Sequence, residues 1–302
     1  MIYSITDLGT NSVRFMLAEY SSDKTNLIYT SKTTTRLGEG LYTAEKMLCD
    51  RPISDTLCAV KKYVDYSKEH GADSIICIAT SAVRDASNSA EFARAIKDKT
   101  GITLRILSGE EEAYAGFMGA VGDTASSADT VLVDIGGGST EIVRNTANGI
   151  SGISFECGCV RLKELFGNDY TSAYEYISDT IELPLCDNIV WIGGTATAVA
   201  MLYKNVDEYS QDSVHMTDIP VDYIKALRDT VLALPKEKLA GICGFDVRRG
   251  EILPYGLMII CYIIEMTGAK HITVSEKGLM DGVIRNLPDV AFPISDVPPI
   301  NK

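Results

Sequence analysis

Hydrophobic and polar positions follow the same sequence of events twice along this chain. An apolar run over residues 2–5 leads into Asp7-Leu8-Gly9-Thr10-Asn11-Ser12, and alternation resumes over residues 13–18. Further on, Val131-Leu132-Val133 leads into Asp134-Ile135-Gly136-Gly137-Gly138-Ser139-Thr140, and an apolar run follows over residues 141–143. Period-two alternation on both sides of a glycine-rich turn predicts a β-hairpin in each place. The two register without a gap: Asp7 with Asp134, Gly9 with Gly136, Ser12 with Ser139, Arg14 with Glu141.

What surrounds the hairpins is also repeated. In the first half the pattern predicts a third strand over 26–33, a turn over 35–40, and a helix carrying Ile53, Leu57, Val60 and Val64 that stops at His70-Gly71. A buried strand over 74–79, a helix over 89–99 and a strand over 102–107 complete it. Ser108-Gly109-Glu110-Glu111-Glu112 opens a helix that reaches Val121, and the small, polar residues 122–129 read as a hinge. The second half predicts a strand over 152–156, a helix from Val160, and a strand over 189–192 entering Gly193-Gly194-Thr195 at a helix N-terminus. A polar loop over 205–218, helices over 221–234 and 250–266 (the latter bent by Pro254), a strand over 271–275 and a helix over 278–287 follow. Strand triplets followed by alternating helix and strand make this an α/β chain. Its length of 302 residues suits two domains: residues 1–121 with a returning C-terminal helix, 283–302, and residues 122–282.

Bulk properties narrow the partners. A formal net charge of −13 argues against a nucleic-acid surface, so a polyanion would need metal ions and a locally basic cleft. Arg14, Arg36, Arg84, Arg161 and Arg248 stand beside glycine or hydroxyl motifs and are the candidates for that cleft. The longest apolar stretch, 256–264, is too short to cross a bilayer. With the first strand beginning at residue 2 and eight scattered cysteines, a cytoplasmic protein with reduced core thiols is expected. Cys157 and Cys159 lack a second ligand pair, so zinc is not indicated.

The chemistry lies in the turns. Successive backbone N–H groups in such turns form concave nests for phosphate oxygens, and an aspartate beside them can hold a cation. Neither turn carries the Gly-Lys-Ser/Thr of the common phosphate loop. Two facing nests describe a site that grips a phosphate chain from both sides.

A tandem of glycine hairpins in two α/β halves resembles the actin, Hsp70 and sugar-kinase superfamily. The stretches DLGTNSVRFML (7–17), TRLGEGL (35–41), ATSAVRDASN (79–88), SGEEEA (108–113), VDIGGGSTEIV (133–143), GCVRLKELF (158–166) and RRGEILPYG (248–256) resemble the exopolyphosphatase and guanosine pentaphosphate phosphohydrolase (Ppx/GppA) family, in family order and across nearly the whole chain. The resemblance implies two duplicated actin-like (ribonuclease H-like) domains with an interdomain active-site cleft, in the short form without extra C-terminal helical domains. It further implies a homodimer acting on inorganic polyphosphate or guanosine pentaphosphate with Mg²⁺. Met280 and Asp281 depart from it, standing where many relatives carry Arg-Glu, with Lys277 as a substitute basic group.

Removing a terminal phosphate needs an activated water, charge neutralisation and positioned donors. None of the three histidines, His70, His215 and His271, falls near a hairpin, which leaves a carboxylate as base. Ser108 with Glu111 matches a capping box, and Glu110 suits the helix dipole. Glu112 has no such local role and matches the family's catalytic glutamate. Asp134 and Glu141 flank the second nest as magnesium ligands. Asp7 either shares the ion through water or bonds its own turn. Thr10, Asn11 and Ser12 face Gly136, Gly137, Gly138, Ser139 and Thr140 as phosphate donors, and Arg84 resembles the family's phosphate-contacting arginine. Arg14 points either into the site or to solvent. Gly193, Gly194 and Thr195 match the superfamily's adenosine site, here for the distal part of the ligand. Cys159 is either a substrate contact, as in some relatives, or a small buried thiol. A kinase would need its own acceptor pocket and base, and a non-catalytic sensor has no use for Glu112, Asp134 and Glu141 together. The free protein is expected to hold an open cleft that closes on ligand about residues 122–129 and the return near Gly282.

Overall fold

The computed structural model describes residues 1–21, 24–121, 130–146, 149–183, 188–244 and 246–286. The proposed hinge at 122–129, Cys186, and the returning helix beyond residue 286 lie outside them.

The first half runs β1 (Ile2–Leu8), β2 (Ser12–Ser21), β3 (Lys24–Thr34), α1 (Asp50–Glu69), β4 (Ser74–Ala79), α2 (Ser81–Asp85), α3 (Ser89–Thr100), β5 (Leu104–Ile106) and α4 (Gly109–Val121). Its sheet has the order β3-β2-β1-β4-β5, with β1, β2 and β3 antiparallel and β1, β4 and β5 parallel. The second half runs β6 (Thr130–Ile135), β7 (Thr140–Thr146), β8 (Gly149–Phe155), α5 (Cys159–Phe166), α6 (Tyr170–Thr180), β9 (Asn188–Ile192), α7 (Gly194–Lys204), α8 (Gln211–Val214), β10 (Thr217–Pro220), α9 (Val221–Leu232), α10 (Lys236–Ile242), α11 (Val247–Gly250), α12 (Leu253–Thr267), β11 (His271–Val274) and α13 (Leu279–Arg285). Its order, β10-β11-β9-β6-β7-β8, repeats the first sheet strand for strand and adds β10 antiparallel on the edge.

The pairing register makes the duplication concrete. Asp7 lies opposite Arg14 in the first hairpin, and Asp134 opposite Glu141 in the second. Alternation along β2 sends Val13, Phe15 and Leu17 into a core with α1 and α3, and Met16 and Ala18 to the opposite face. In the second sheet Val131 and Val133 join the large core under α12, while Leu132 faces α4.

Two helices change sides. Although α4 follows the first sheet in sequence, it buries Ala113, Phe117 and Val121 against Leu132, Val143 and Ile192 of the second. The last helix, α13, buries Leu279, Val283 and Ile284 with Ile5, Met16 and Ile78 of the first. The two cross where glycine removes the side chains: a β-carbon at Gly119 would overlap the Gly278 carbonyl, and one at Gly282 the Ala115 carbonyl.

Local expectations need two corrections. Pro254 does not bend a helix, because the chain forms a separate turn, α11, and Pro254 takes the first turn of α12, where its missing N–H costs nothing. The polar stretch before Asp218 contains α8 and the start of β10, whose buried Ile219 is a single apolar position among polar neighbours.

Candidate active site

The two turns are built alike. Gly9 N–H donates to Ser12 O at 3.1 Å, and Gly136 N–H donates to Ser139 O at 3.0 Å. They also touch: a β-carbon on Gly137 would stand 2.8 Å from Thr10 Cβ, and one on Gly138 would run into the hydroxyls of Tyr42 and Ser81. Glycine at these places lets the two halves meet backbone to side chain.

Carboxylates concentrate behind the turns. Asp7 and Glu141 are buried, and Asp134 and Glu112 nearly so, at 9% and 8% exposure. Arg14 holds Asp7 Oδ2 through Nε at 2.8 Å and Nη2 at 2.6 Å, while Asp7 Oδ1 is buried without a partner. Arg14 thus reaches Asp7 at the site while its side chain stays 38% exposed, and Asp7 is held across the hairpin rather than by its own turn. Gly193, at φ +89°, presents its α-carbon to Asp134 Oδ1 where any side chain would collide. Ser154 Oγ donates to Glu141 Oε1 at 2.6 Å. Arg84 Nη1 donates to Glu112 Oε2 at 3.0 Å and to Leu107 O at 2.9 Å.

Burial and crowding shift the protonation of Glu112, Asp134 and Glu141. Burial and the Glu141 charge push Glu112 well above the usual carboxylate range, against the pull of Arg84. Burial and Asp134 push Glu141 up to about 7, and burial, opposed by Arg14, pushes Asp134 up to about 6. Glu111 has a different environment. Its Oε2 accepts from Ser108 N–H at 2.8 Å, its own N–H donates to Ser108 Oγ at 3.1 Å, and Arg105 pairs with it at 2.6 Å. That is a complete capping box.

Other expected positions have structural partners. Asn11 Nδ2 donates to Ser12 Oγ at 3.2 Å, and Thr140 Oγ1 to Cys157 O at 2.5 Å. Ser139 is buried beside Glu141. Cys159 and Thr195 are both buried, with Sγ and Oγ1 3.2 Å apart beside Gly256. Gly194 lies against the Arg249 guanidinium. Of the arginines proposed for polyanions, Arg161 is spent on Gly138 O at 2.7 Å and Asp85 at 2.6 Å, with its guanidinium 4.2 Å over the Tyr42 ring. Arg36 pairs with Glu251, and Arg248 Nη1 donates to Thr34 O. Asp281 accepts from Gly278 N–H at the start of α13, and Met280 packs on that helix's core.

Sequence reasoning missed Tyr42 and Glu276. Tyr42 closely follows the turn at 35–40, and its hydroxyl is buried against Gly138 beside Ser81 and Thr10. Glu276 accepts from Thr197 Oγ1 at 2.7 Å and Tyr209 OH at 2.8 Å beside the Gly193 turn.

This fold and site define the class: a two-domain actin-like protein with carboxylates gathered behind paired glycine-rich turns. The Ppx/GppA phosphatase family model matches residues 17–289, and the chain belongs to that family, whose common reaction is phosphoanhydride hydrolysis. It is 26% identical to exopolyphosphatase 2 of Mycobacterium tuberculosis, over 93% of this chain and 97% of that one. A bifunctional 3-dehydroquinate synthase/phosphatase of Fusobacterium nucleatum is 29% identical over 92% of this chain, which spans only 45% of that protein's length. A guanosine-5'-triphosphate,3'-diphosphate pyrophosphatase of Pseudoalteromonas atlantica is 26% identical over 94% of this chain and 58% of its own. The crystal structure of the Aquifex aeolicus PPX-GPPA enzyme superposes with a TM-score of 0.79 at 28% identity, covering 94% of this chain and 99% of that one. Among the described residues no helix is long and apolar enough to cross a membrane.

Proposed function

We propose that the chain is a Mg²⁺-dependent exopolyphosphatase that hydrolyses the terminal phosphoanhydride of inorganic polyphosphate, with Glu112 as general base. The observation that carries this reading is the buried Glu112–Arg84 pair beside Asp134 and Glu141. Glu112 takes a proton from the attacking water, the water oxygen bonds to the terminal phosphorus, and the bridging P–O bond breaks with the shortened chain leaving. A base whose proton affinity burial and the neighbouring Glu141 raise above that of an ordinary carboxylate suits this transfer, which is typically worth about 10²–10⁴ in rate. Arg84 neutralises charge on the phosphoryl oxygens, and the two turns orient the chain.

The donor set fits magnesium. It is all hard oxygen, Asp134 faces Glu141 across the hairpin, and Asp7 Oδ1 is a buried carboxylate oxygen with nothing to bond. Among the described residues no three His, Cys, Asp or Glu side chains close on one ion by themselves, so water and phosphate oxygens would have to complete its shell. Bound there, it would neutralise phosphate charge. Asp134 and Glu141 would hold it directly, and Asp7 through water.

Guanosine pentaphosphate is the second reading, favoured by the similarity to the Pseudoalteromonas atlantica guanosine-5'-triphosphate,3'-diphosphate pyrophosphatase; Gly193, Gly194 and Thr195 would then meet the distal part of that ligand. A cytoplasmic homodimer completes the proposal; the expected division at residues 121 and 282 is a division of the sequence, since by packing α4 goes with the second half and the whole of α13 with the first. Phosphate release measured in parallel from long polyphosphate, tripolyphosphate, ATP and guanosine pentaphosphate, with and without Mg²⁺, tests it. Release from polyphosphate should dominate and require the metal. Preference for guanosine pentaphosphate would promote the second reading, and metal-independent release would remove magnesium.

A further inference from the structure

The two phosphate-binding turns belong to different sheets, yet a single helix is wired to both. The first turn of α5 sits on the second hairpin: Cys159 N–H donates to Gly136 O at 3.1 Å, and Val160 and Arg161 N–H to Gly137 O at 2.7 and 3.0 Å. Arg161 Nε adds the Gly138 carbonyl at 2.7 Å. These bonds fix the orientation of three consecutive peptides of the nest.

One turn further along α5, Glu164 reaches into the other half. Its carboxylate accepts the backbone N–H of Gly40 at 2.6 Å through Oε1 and that of Tyr42 at 3.2 Å through Oε2. The segment it holds is folded to receive it, with Arg36 at φ +52° and Gly40 at φ +76°. That segment in turn clamps the first hairpin: Arg36 N–H donates to Asn11 O and Gly38 N–H to Thr10 O, both at 2.9 Å. Every link is a hydrogen bond to backbone, and the key acceptor is charged, the stronger kind. Exposed ion pairs elsewhere on the seam join side-chain tips and leave the backbone free.

We propose that Glu164 is a positioning residue that sets the spacing of the two nests, so that one phosphate chain engages both. It touches no reacting atom. The consequence is specific: loss of Glu164 weakens ligands that span the nests and spares ligands that occupy one. The ligand arm of the test rests on the phosphate-chain reading above, and the backbone arm does not.

The backbone arm is amide hydrogen exchange on the parent and on Glu164→Ala without ligand. Faster exchange is expected at Gly40 and Tyr42 and onward at Gly38, Arg36 and Gly9, with the α12 core unchanged. A change that stops at Gly40 and Tyr42 would overturn the proposal. In the ligand arm, calorimetry compares a methylene-bridged tripolyphosphate with orthophosphate. The spanning ligand should lose about tenfold in affinity, the scale of lost hydrogen bonds to a charged group, and orthophosphate less than about twofold. Equal losses, or none, would overturn it. Should the parent bind no phosphate chain, the substrate reading fails while exchange still decides the clasp. Should Glu164→Ala not fold, Glu164→Gln keeps the size and one good acceptor, and the same differences are expected at smaller amplitude.

Discussion

Arg84 and Glu112 form an ion pair of 3.0 Å in which the same guanidinium nitrogen also donates to the Leu107 carbonyl. The carbonyl fixes the arginine, and the arginine fixes the carboxylate, leaving its other oxygen available. Glu111, one residue earlier, has both oxygens committed to Ser108 and Arg105.

Glu112→Gln should therefore remove turnover by about 10²-fold or more while leaving polyphosphate affinity within about threefold, since a base acts on the transition state. Glu111→Ala should keep most activity and lose about 1 kcal/mol of stability, the worth of a cap. Steady-state kinetics beside thermal unfolding separates the two. An inactive Glu111→Ala with active Glu112→Gln would reverse the assignment.

Asp134→Asn and Glu141→Gln test the metal. Each should raise the Mg²⁺ concentration for half-maximal rate by about tenfold or more, because an amide is a far poorer partner for a hard cation. Unfolding midpoints should not drop, since each change relieves a crowded negative charge. Titrations matching the parent would move the ion to Asp7.

Much of this site was legible because it rests on local rules. Twin hairpins in register matched Asp7 with Asp134 and Arg14 with Glu141, and a Ser-x-x-Glu spacing separated Glu111 from Glu112; that Asp7 stands opposite Arg14, and Asp134 opposite Glu141, came only with the structure. Long-range geometry was not legible. Nothing in the periodicity of α4 says that Phe117 packs on the second sheet rather than the first, because both sheets present the same kind of apolar face. Cys159, Thr195 and Arg161 carry site-like neighbours in sequence, yet the first two close a buried contact and the third braces Gly138. Glu164 carries no signal in the sequence, because its partners lie some 120 residues away.

The crowded carboxylates also set a pH dependence of stability. Asp134, Glu141 and Glu112 are lifted above their ordinary values when folded, so the folded chain binds more protons than the unfolded one between about pH 4.5 and 7. With more protons on the native state, stability falls as pH rises through that window. In chelator, the melting temperature should drop by about 3 °C or more from pH 5.5 to 7.5, and Mg²⁺ should restore it. Activity should run the other way, rising over the same interval as base and metal ligands ionise. A melting temperature that climbs with pH in chelator would mean that these acids are already charged when free.

The crossing of α4 and α13 should tolerate no side chain. Gly282→Ala would overlap the Ala115 carbonyl oxygen, which is backbone and cannot rotate away. A loss of about 3 kcal/mol or more is expected in denaturant unfolding. A neutral result would show that the two helices slide apart readily.

That slide bears on closure of the cleft. Besides Glu164, the seam between halves is held by Arg161–Asp85 at 2.6 Å, Lys32–Asp246 at 2.9 Å and Arg36–Glu251 at 3.1 Å. Apart from Arg161–Asp85 these pairs are partly exposed, and such pairs contribute about 0–1 kcal/mol each, so the seam holds the halves together without locking them. Salt at about 0.5 M screens such pairs and should shift the population towards an open cleft. A phosphate chain bridging the two turns should shift it back, drawing the first turn towards the second and excluding water; Glu112, whose helix α4 packs on the second sheet, stays beside Asp134 and Glu141 instead of travelling with the first half. Small-angle scattering reads this directly: the radius of gyration should rise with salt and fall when a non-hydrolysable polyphosphate is added. A radius that ignores both, with the analogue demonstrably bound, would mean a preformed site in which α5 and the crossed helices hold the two nests rigidly.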